Sequence, residues 1–314
     1  MSFSTEVKEE LAKRIGTSRH CQLAELAAIV TMAGLVRSDE DGNPALYLQA
    51  DDDVVLRKFF TLLKKAFNIV TSILEEGGDI RYNGRFYRLV SLDAAQVESV
   101  LKAIRIMDLE GNIRSLEEGA NPMVTKNSCC KRAFLRDACL CTGSISDPNK
   151  GYHLEFVCSS EGQALQLQEL IEDFEIESRI VQRKKYHVLY IKEGAGIVDL
   201  LNIMEAPVSL MNLENLRIVK EMRNSINRRV NCEVANITKT VNAAAKQLDD
   251  ITYIRDNYGF GKLQDGLREM AEVRLEHPEA TLLELGTYLD PPVGKSGVNH
   301  RLRKLSELAD RLRS

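Results

Sequence analysis

The residues best suited to chemistry lie near the carboxyl end of the chain, where polar and basic side chains recur along a predicted helix. Asn299 and Arg303 are four residues apart, so their side chains point the same way from a helix. In the major groove of DNA, asparagine pairs with adenine and arginine pairs with guanine in a bidentate manner. Lys295 and Lys304 lie nearer the predicted helix ends and are expected to contact phosphates. The candidate DNA-contacting residues are Lys295, Ser296, Asn299, His300, Arg301, Arg303 and Lys304.

The segment that must position these side chains, Thr281 to Leu305, reads as two short helices joined by a tight turn. Thr281 and Glu284 form a capping-box pattern, which predicts the start of the first helix. The apolar stripe of this helix consists of Leu282, Leu285 and Leu289. Proline lacks an amide hydrogen and clashes with the preceding helical turn, so Asp290-Pro291-Pro292 ends the helix.

The second helix of this segment is predicted to begin with Ser296 as its N-cap. Its apolar side consists of Val298, Leu302, Leu305 and Ala309. This layout is typical of a helix-turn-helix, whose second helix enters the major groove with its N-terminus first. An amphipathic hairpin with a solvated outer face fits the segment as well, so the rest of the chain has to separate the two interpretations.

The composition is that of a globular protein with room for two domains. The chain has 314 residues, and no apolar run approaches the roughly 20 residues that a membrane span needs. The first residues, MSFSTEVKEELAKR, lack the apolar stretch of a signal peptide. We therefore expect a cytoplasmic location, associated with the nucleoid.

Charge is distributed unevenly along the chain. Val293 to Ser314 contains six basic and two acidic residues, a net charge of +4, which leaves −8 for the remainder of a chain whose net charge is −4. A local basic segment on an acidic protein suits specific, salt-sensitive contact with phosphate, and it argues against indiscriminate coating of nucleic acid.

The cysteines have the pattern of reduced thiols, because their number is odd (seven) and no disulfide-like framework is present. Cys129, Cys130, Cys139 and Cys141 are grouped, but they lack C-x2-C spacing, and the nearest histidine after them is His153. We therefore expect structural or buried thiols, with no metal site and no cofactor.

The first two thirds of the chain contain an internal repeat. Residues 25–34 (ELAAIVTMAG) and 134–143 (FLRDACLCTG) read as apolar helices, and each ends in a glycine, Gly34 or Gly143. After each glycine the pattern predicts a turn, a strand, an acidic helix, two strands and a helix. In the first copy, the five elements after the turn are Ala45–Gln49, Asp53–Phe67, Ile69–Leu74, Phe86–Ser91 and Ala94–Ile106. In the second copy they are His153–Cys158, Glu161–Phe174, Glu177–Gln182, His187–Ile191 and Gly196–Met204. The copies cover about 21–107 and 130–205. A solenoid would have a period of about 20–50 residues, and these copies are longer, so they predict a pseudo-two-fold α+β domain.

Both repeat helices are similar to a known motif. Residues 26–34 (LAAIVTMAG) and 135–143 (LRDACLCTG) resemble the LAGLIDADG helix of homing endonucleases, whose fold places two such helices at a pseudo-two-fold axis beside β-saddles that straddle DNA. With SFSTEVKEELAK, NSCCKRAFLR and GTYLDPPVGKSGVNHRLRKL elsewhere, the chain resembles the WhiA family of bacterial DNA-binding regulators. The resemblance implies a degenerate LAGLIDADG domain followed by a small all-α helix-turn-helix domain similar in fold to region four of sigma factors. It also implies a role in cell division, chromosome segregation or, as in actinobacteria, sporulation.

A LAGLIDADG nuclease needs an acidic residue just before the terminal glycine of each helix, because these two carboxylates hold the divalent metal ions that activate water. The corresponding residues are Ala33 and Thr142, and neither can carry a negative charge. We therefore expect no enzymatic activity and no catalytic residue. Asp137 lies five residues before Thr142 on another face, and we expect it to pair with Arg136 or Lys131, or to be exposed by a shift of the helix.

Two further basic groups are candidates for secondary DNA contact. The first is a strand-turn-strand in the second repeat that contains Arg179, Arg183, Lys184 and Lys185. A charged hairpin tip is usually only solvated, but the sheet faces of this fold are the surface that meets DNA. The second and weaker group is a loop that contains Lys126, Lys131 and Arg132.

Four segments are predicted along the chain. They are an N-terminal helix packed on the repeat domain (1–20), the degenerate LAGLIDADG domain (21–212), a connecting helix and linker (213–239) and the helix-turn-helix domain (240–314). Within the third segment, Glu214–Arg229 reads as helix and Asn231–Lys239 as linker, because the latter is polar and lacks periodicity.

Three functions remain open on the sequence. The leading one is a non-enzymatic, sequence-specific DNA-binding protein that regulates transcription, with double-stranded DNA as partner and another regulator or RNA polymerase as a candidate protein partner. The alternatives are a residual nuclease or RNA-maturation factor of the LAGLIDADG type, and a protein-interaction scaffold. None of the three involves a membrane or a small-molecule substrate.

Overall fold

The chain divides into two compact units, residues 1–220 and 221–314. The computed structural model describes residues 2–39, 42–49, 53–73 and 79–313. The first unit begins with helix α1 (Phe3–Lys13), which is capped by the Ser2 side chain. Val7 and Leu11 of this helix are fully buried in the core of the first unit.

Two copies of one α+β motif make up most of the first unit. The first copy contains α2 (Arg19–Ala33), β1 (Gly34–Ser38), β2 (Pro44–Gln49), α3 (Asp53–Phe67), β3 (Ile80–Tyr82), β4 (Arg85–Leu89) and α4 (Ala94–Ala103). The second contains α5 (Ser128–Thr142), β5 (Gly143–Ile145), β6 (Leu154–Cys158), α6 (Glu161–Glu172), β7 (Arg179–Arg183), β8 (Tyr186–Ile191) and α7 (Gly194–Ile203). Each copy forms an antiparallel four-stranded sheet, in the order β1-β2-β4-β3 or β5-β6-β8-β7. The shared order confirms the predicted pseudo-two-fold α+β class.

Helices α2 and α5 pack against each other at the centre of the first unit. Small side chains allow the close approach, since Ala27, Ala28, Ala133 and Ala138 are almost completely buried. Both helices are buried on most sides because other helices and the sheets surround them. The two repeats therefore share one hydrophobic core.

Each central helix passes directly into a strand at its terminal glycine, where the sequence pattern predicts a turn. Gly34 is the first residue of β1, and Gly143 is the first residue of β5. A Cβ on Gly34 would lie 2.4 Å from the carbonyl oxygen of Val30, and one on Gly143 would lie 2.4 Å from that of Cys139. Glycine is required here because the backbone turns out of the helix against its own last turn.

The predicted strand Ile69–Leu74 is wrong in the part that the structure describes. Ile73 forms only an isolated bridge to Val90, and Leu74 lies outside the described residues. The strand that pairs with the outer side of β4 is β3, which lies further along the chain than the predicted strand, and β2 pairs with the other side. An Asn83-Gly84 turn with positive φ at both residues joins the two strands, and Asn-Gly is a strong signal for such a hairpin.

The second unit is helical and has its own core. Its elements are the long helix α8 (Pro207–Asn257), part of which belongs to the first unit, and α9 (Asp265–Glu276), α10 (Leu282–Thr287) and α11 (Lys295–Arg313). Its buried apolar residues are Ile251, Ile254, Met270, Ala271, Leu285, Leu289, Val298, Leu302, Leu305 and Ala309. Across the described ranges, no helix is both long and apolar enough to cross a membrane.

The predicted linker Asn231–Lys239 is wrong, because this segment is part of the continuous helix α8. Between Pro207 and Gly259 the chain has no glycine or proline, so nothing in the sequence interrupts the helix. The side chains of the segment are all exposed. An exposed helix needs no apolar stripe, and a missing period therefore does not indicate a loop.

Candidate nucleic-acid interface

Helix α10 and the turn after it have the predicted helix-turn-helix geometry. The Thr281 amide donates to Glu284 Oε2 at 2.7 Å, and the Glu284 amide donates to Thr281 Oγ1 at 3.4 Å, which confirms the capping box. The Val293 amide donates to the carbonyl oxygen of Gly286 at 2.9 Å. A Cβ on Gly286 would lie 2.0 Å from the Val293 carbonyl oxygen, so only glycine lets the turn fold back on the helix.

Helix α11 begins earlier than predicted. Its first residue is Lys295, and the Val298 amide donates to the Gly294 carbonyl oxygen at 3.1 Å. Ser296 therefore lies in the first turn of the helix and is not the N-cap. Serine is favoured at the N-cap, but glycine is also accepted there. The predicted apolar side is confirmed, since Val298, Leu302, Leu305 and Ala309 are buried.

The outer side of α11 carries most of the predicted DNA-contacting residues. The exposed ones are Lys295, Ser296, Asn299, His300, Arg303 and Lys304. Arg303 Nε lies 3.3 Å from Glu307 Oε1 in an ion pair whose side chains are 68% and 56% exposed. Such an exposed pair contributes about 0–1 kcal/mol, so Arg303 can leave Glu307 for a base or phosphate at little cost.

Arg301 lies at the edge of this outer side, which corrects the expectation that its side chain is left for solvent, and its contact with DNA stays a prediction. Its side chain is 26% exposed, and Nη1 donates to the Gly266 carbonyl oxygen at 3.2 Å and lies 3.5 Å from Glu269 Oε2. Both partners are in α9. Arg301 follows the buried Val298 by three residues, so it lies at the border of the apolar side and ties α11 to α9.

The basic hairpin of the second repeat is partly engaged with other residues. Arg179 and Lys184 are exposed, while Arg183 Nη1 donates to Glu155 Oε2 at 3.1 Å. Lys185 Nζ donates to the carbonyl oxygen of Asn83 at 2.5 Å, and Asn83 lies in the β3–β4 turn of the other repeat. The hairpin tips of the two repeats therefore touch.

The contact between the hairpin tips borders a cavity of about 450 Å³ beside the start of β1. It is lined by four cationic side chains (Arg37, Arg85, Arg114 and Lys185) and one acidic side chain, Glu117, and Arg114 forms an ion pair with Glu118. Arg37 and Arg85 stack on Tyr82 and Tyr186, at 4.5 and 5.1 Å from the ring centroids. The first-repeat arginines were not singled out from the sequence, because they lie in separate strands and only the fold brings them together.

The second basic group, Lys126, Lys131 and Arg132, lies far from the ends of α2 and α5 that join the sheets. Lys131 and Arg132 belong to the first turns of α5, not to a loop. Lys131 binds Asp173 at 2.5 Å, and Arg132 lies 5.5 Å from the Phe174 ring centroid. At about 1.5 Å per residue, Lys131 is roughly 16 Å along the helix from Thr142. Only Lys126 of this group is exposed.

The positions that the resemblance assigns to the nuclease carboxylates are the last residues of α2 and α5. Ala33 has no polar side-chain atom, and Thr142 Oγ1 donates to the Ala138 carbonyl oxygen of its own helix at 3.0 Å. The site offers no carboxylate at either position for a divalent cation of the nuclease type.

Asp137 is buried, and its nearest cation is Lys58, which was not predicted, while the predicted Arg136 forms a longer ion pair with it. Asp137 Oδ2 lies 3.0 Å from Lys58 Nζ of α3, whereas Arg136 Nε is 3.9 Å away and Lys131 pairs with Asp173. Burial raises the pKa of Asp137 to about 7, and the charge of Lys58 opposes that shift. Asp137 belongs to the core between the repeats and does not face a solvent-accessible site.

The four grouped cysteines have two different environments. Cys139 is buried, and burial raises the pKa of its thiol to about 12, as expected for an inert structural thiol. Cys129 and Cys130 instead lie beside His20, whose Nδ1 is 3.2 Å from Cys130 Sγ. A histidine therefore does lie near these cysteines, contrary to the prediction, because the fold brings His20 from the other repeat to them.

Comparison with known proteins identifies all three parts of the chain. Residues 19–107 match the family described as the WhiA N-terminal LAGLIDADG-like domain. Residues 131–223 match the WhiA LAGLIDADG-like domain, and residues 226–309 match the WhiA C-terminal HTH domain.

Curated relatives and a solved structure agree with these matches over the full length. A protein of Lachnoclostridium phytofermentans, named "Probable cell division protein WhiA", is 52% identical over 313 residues, which cover 100% of both chains. One of the same name from Alkaliphilus oremlandii is 46% identical and covers 99% of this chain and 98% of its own. The crystal structure of full-length DUF199/WhiA from Thermatoga maritima is 25% identical, with a TM-score of 0.59 and 99% of each chain covered. The chain therefore belongs to the WhiA family.

Proposed function

We propose that the protein is a non-enzymatic, sequence-specific DNA-binding regulator and that α11 is its recognition helix. The observation that carries this proposal is the exposed side of α11, where Asn299 and Arg303 lie one turn apart above a buried apolar side. The match of residues 226–309 to a helix-turn-helix family supports it. In this arrangement the two side chains enter the major groove together and read adjacent bases.

The repeat domain supplies auxiliary contact in this proposal. The cation-lined cavity at the hairpin tips and the exposed Arg179 and Lys184 provide positive charge on the sheet side of the domain. Contacts of this kind fix position on the duplex without reading sequence. Ala33 and Thr142 support binding without cleavage, because neither offers a metal ligand with negative charge.

The biological role that we propose is regulation of genes for cell division, chromosome segregation or sporulation. The relatives that carry the name "Probable cell division protein WhiA" support the first of these. The proposed partners are double-stranded DNA and either another regulator or RNA polymerase. The proposed location is the cytoplasm, in association with the nucleoid.

Selection of duplexes from a random library by the full chain tests this function. A DNA-reading protein enriches one motif and binds it about 10³-fold or more tighter than a scrambled duplex at physiological salt. Asn299→Ala should lower that preference by about 1–3 kcal/mol through one base pair of the motif, whereas the exposed Asn224→Ala of α8 should keep it in full. If the selection enriches no motif, the result would favour a protein-interaction scaffold. If the selected duplexes are cut in the presence of Mg²⁺, it would favour a residual nuclease.

A further inference from the structure

Four metal-binding side chains meet where the two central helices begin, and none of them is among the predicted DNA-contacting residues. His20 and Cys21 lie in the first turn of α2, and Cys129 and Cys130 lie in the first turn of α5. One ligand atom of each residue lies within 4.8 Å of the ligand atoms of the other three. Nothing in the hydrophobic core requires four such groups at one point.

The four residues occupy equivalent positions in the two repeats. Each central helix motif ends in a glycine, Gly34 or Gly143. His20 precedes Gly34 by the same number of residues as Cys129 precedes Gly143. Cys21 and Cys130 follow them directly. The pseudo-two-fold relation between α2 and α5 therefore brings both pairs to the same point, although they belong to different repeats and are distant in sequence.

The distances fit a tetrahedral zinc ion. His20 Nδ1 lies 3.2 Å from Cys130 Sγ, 3.4 Å from Cys21 Sγ and 3.9 Å from Cys129 Sγ. With Zn–S bonds of about 2.3 Å and Zn–N bonds of about 2.0 Å, tetrahedral geometry places nitrogen and sulfur about 3.5 Å apart. Three thiolates and one imidazole form a structural zinc set, whereas calcium and magnesium prefer oxygen ligands.

The surroundings of the four residues leave a path for a metal ion while holding the site in place. Cys130 is buried and Cys21 nearly so, whereas His20 and Cys129 reach solvent. Gly16 packs on Cys21 so closely that a Cβ there would lie 2.6 Å from Cys21 Cβ. Gln22 Nε2 donates to the Gly16 carbonyl oxygen at 2.8 Å, which holds the segment between α1 and α2 against Cys21.

We propose that His20, Cys21, Cys129 and Cys130 bind one zinc ion that links the two repeats. On binding, the three thiols release their protons to solvent and form three Zn–S bonds, and the neutral imidazole donates the lone pair of Nδ1. All four ligands come from the protein, so the ion has no open position and its role is structural. It joins two helices whose other contacts are mainly apolar.

Metal analysis of the full chain, purified under reducing conditions without a histidine tag, tests the proposal. We expect about one zinc per chain, lowered at least tenfold in Cys129→Ser and in His20→Ala, both of which alter exposed side chains. The matched control is Cys232→Ser, which alters an exposed cysteine of α8. Zinc content that is low in the wild type, or equal in Cys129→Ser and Cys232→Ser, would overturn the proposal.

A spectroscopic measurement adds a readout that does not depend on folding yield. Cobalt(II) loaded into the wild type and the Cys232→Ser control should give thiolate-to-metal charge-transfer bands of a tetrahedral site. Cys129→Ser should give a weaker band at equal protein concentration. A Cys21–Cys129 or Cys21–Cys130 disulfide, detected by mass spectrometry after thiol alkylation of the freshly isolated protein, would also overturn the proposal.

Discussion

Lys58 Nζ lies 3.0 Å from Asp137 Oδ2, and neither side chain is exposed to solvent. The pair joins α3 of the first repeat to α5 of the second, and Lys58 also donates to the Leu11 carbonyl oxygen of α1 at 3.1 Å. Arg136, beside Asp137, binds both Glu25 and Glu205. The interface of the two repeats thus contains a buried charge network inside an otherwise apolar core.

Removing one partner of this pair should destabilise the first unit strongly. At about pH 8, above the pKa of Asp137, Lys58→Met leaves the buried carboxylate without its nearest cation, so we expect the free energy of unfolding to fall by about 3–5 kcal/mol. The double variant Lys58→Met/Asp137→Ala should recover most of the loss, because no charge is then left unpaired. Urea unfolding measures both, with exposed Lys64→Met of the same helix as control. Equal stability of Lys58→Met and Lys64→Met would contradict the prediction.

The stability of the first unit should depend on pH through Asp137. Burial raises its pKa to about 7, whereas an aspartate in an unfolded chain titrates near about 4. Between these values the folded protein holds a proton that the unfolded chain has released, so this group's contribution to the free energy of unfolding falls as the pH rises.

Asp137→Asn removes this titration and should make the free energy of unfolding less dependent on pH between about 4 and 7. Urea titrations at several pH values across that range measure the slope for the wild type and the variant. Asp199→Asn, at an exposed position of α7, is the control and should keep the wild-type slope. The prediction does not survive if Asp137→Asn and the wild type share one slope.

The fold class was predictable because the two repeats carry the same local patterns. Both central helices end in glycine, and the helix Asp53–Phe67 appears with the predicted bounds. The helical state of Asn231–Lys239 was not predictable from periodicity, since an exposed helix and a polar loop both lack an apolar stripe. For this segment, the absence of glycine and proline indicates a helix better than the periodicity does.

The candidate site was predictable only where residues close in sequence determine which side chains are exposed. The exposed side of α11 follows from helical spacing, but the partners of Arg301 lie in another helix, α9. Lys58 and Asp137 belong to different repeats, and so do His20 and Cys130. Contacts between residues of different repeats depend on how the repeats pack. Spacing along one helix gives no information about that packing.

No cleavage of DNA is expected from this chain. Ala33 and Thr142 cannot bind divalent cations through negative charge, and Asp137 is occupied by Lys58. Purified protein should leave supercoiled plasmid intact in Mg²⁺ or Mn²⁺ over the time in which a LAGLIDADG nuclease used as positive control cuts it completely. Nicking by the wild type that is lost in Asp137→Ala would contradict this, whereas nicking that both share points to a contaminant.

The helix-turn-helix region should fold without the repeat domain. Among the residues that the structure describes, those that form its buried core all lie after position 250, so a fragment 240–314 retains all of them. We expect a helical circular dichroism spectrum, cooperative urea unfolding and DNA binding weaker than that of the full chain. Leu302→Ala within the fragment should lower the free energy of unfolding by about 2–5 kcal/mol. A fragment without a cooperative transition would show that the core needs more of α8.

The two basic residues Arg303 and Lys304 should contribute differently to DNA binding. Arg303 shares its side of α11 with Asn299 and is held only by an exposed pair with Glu307. Arg303→Ala should weaken binding to the selected motif by about 1–3 kcal/mol and relax the preference at one base pair. Lys304→Ala should weaken binding to all duplexes alike and reduce the slope of log K against log salt by about one.

Titrations of the motif and a scrambled duplex over a salt series separate these effects, with Arg301→Ala as the matched control. Arg301 binds Gly266 and Glu269 of α9, so its loss should lower the thermal midpoint and leave the base preference unchanged. If Arg303→Ala weakens binding to both duplexes equally, then Arg303 contacts phosphate and reads no base. If Arg301→Ala changes the base preference at unchanged stability, the arginine leaves α9 when DNA binds, and the base-reading side of α11 includes it.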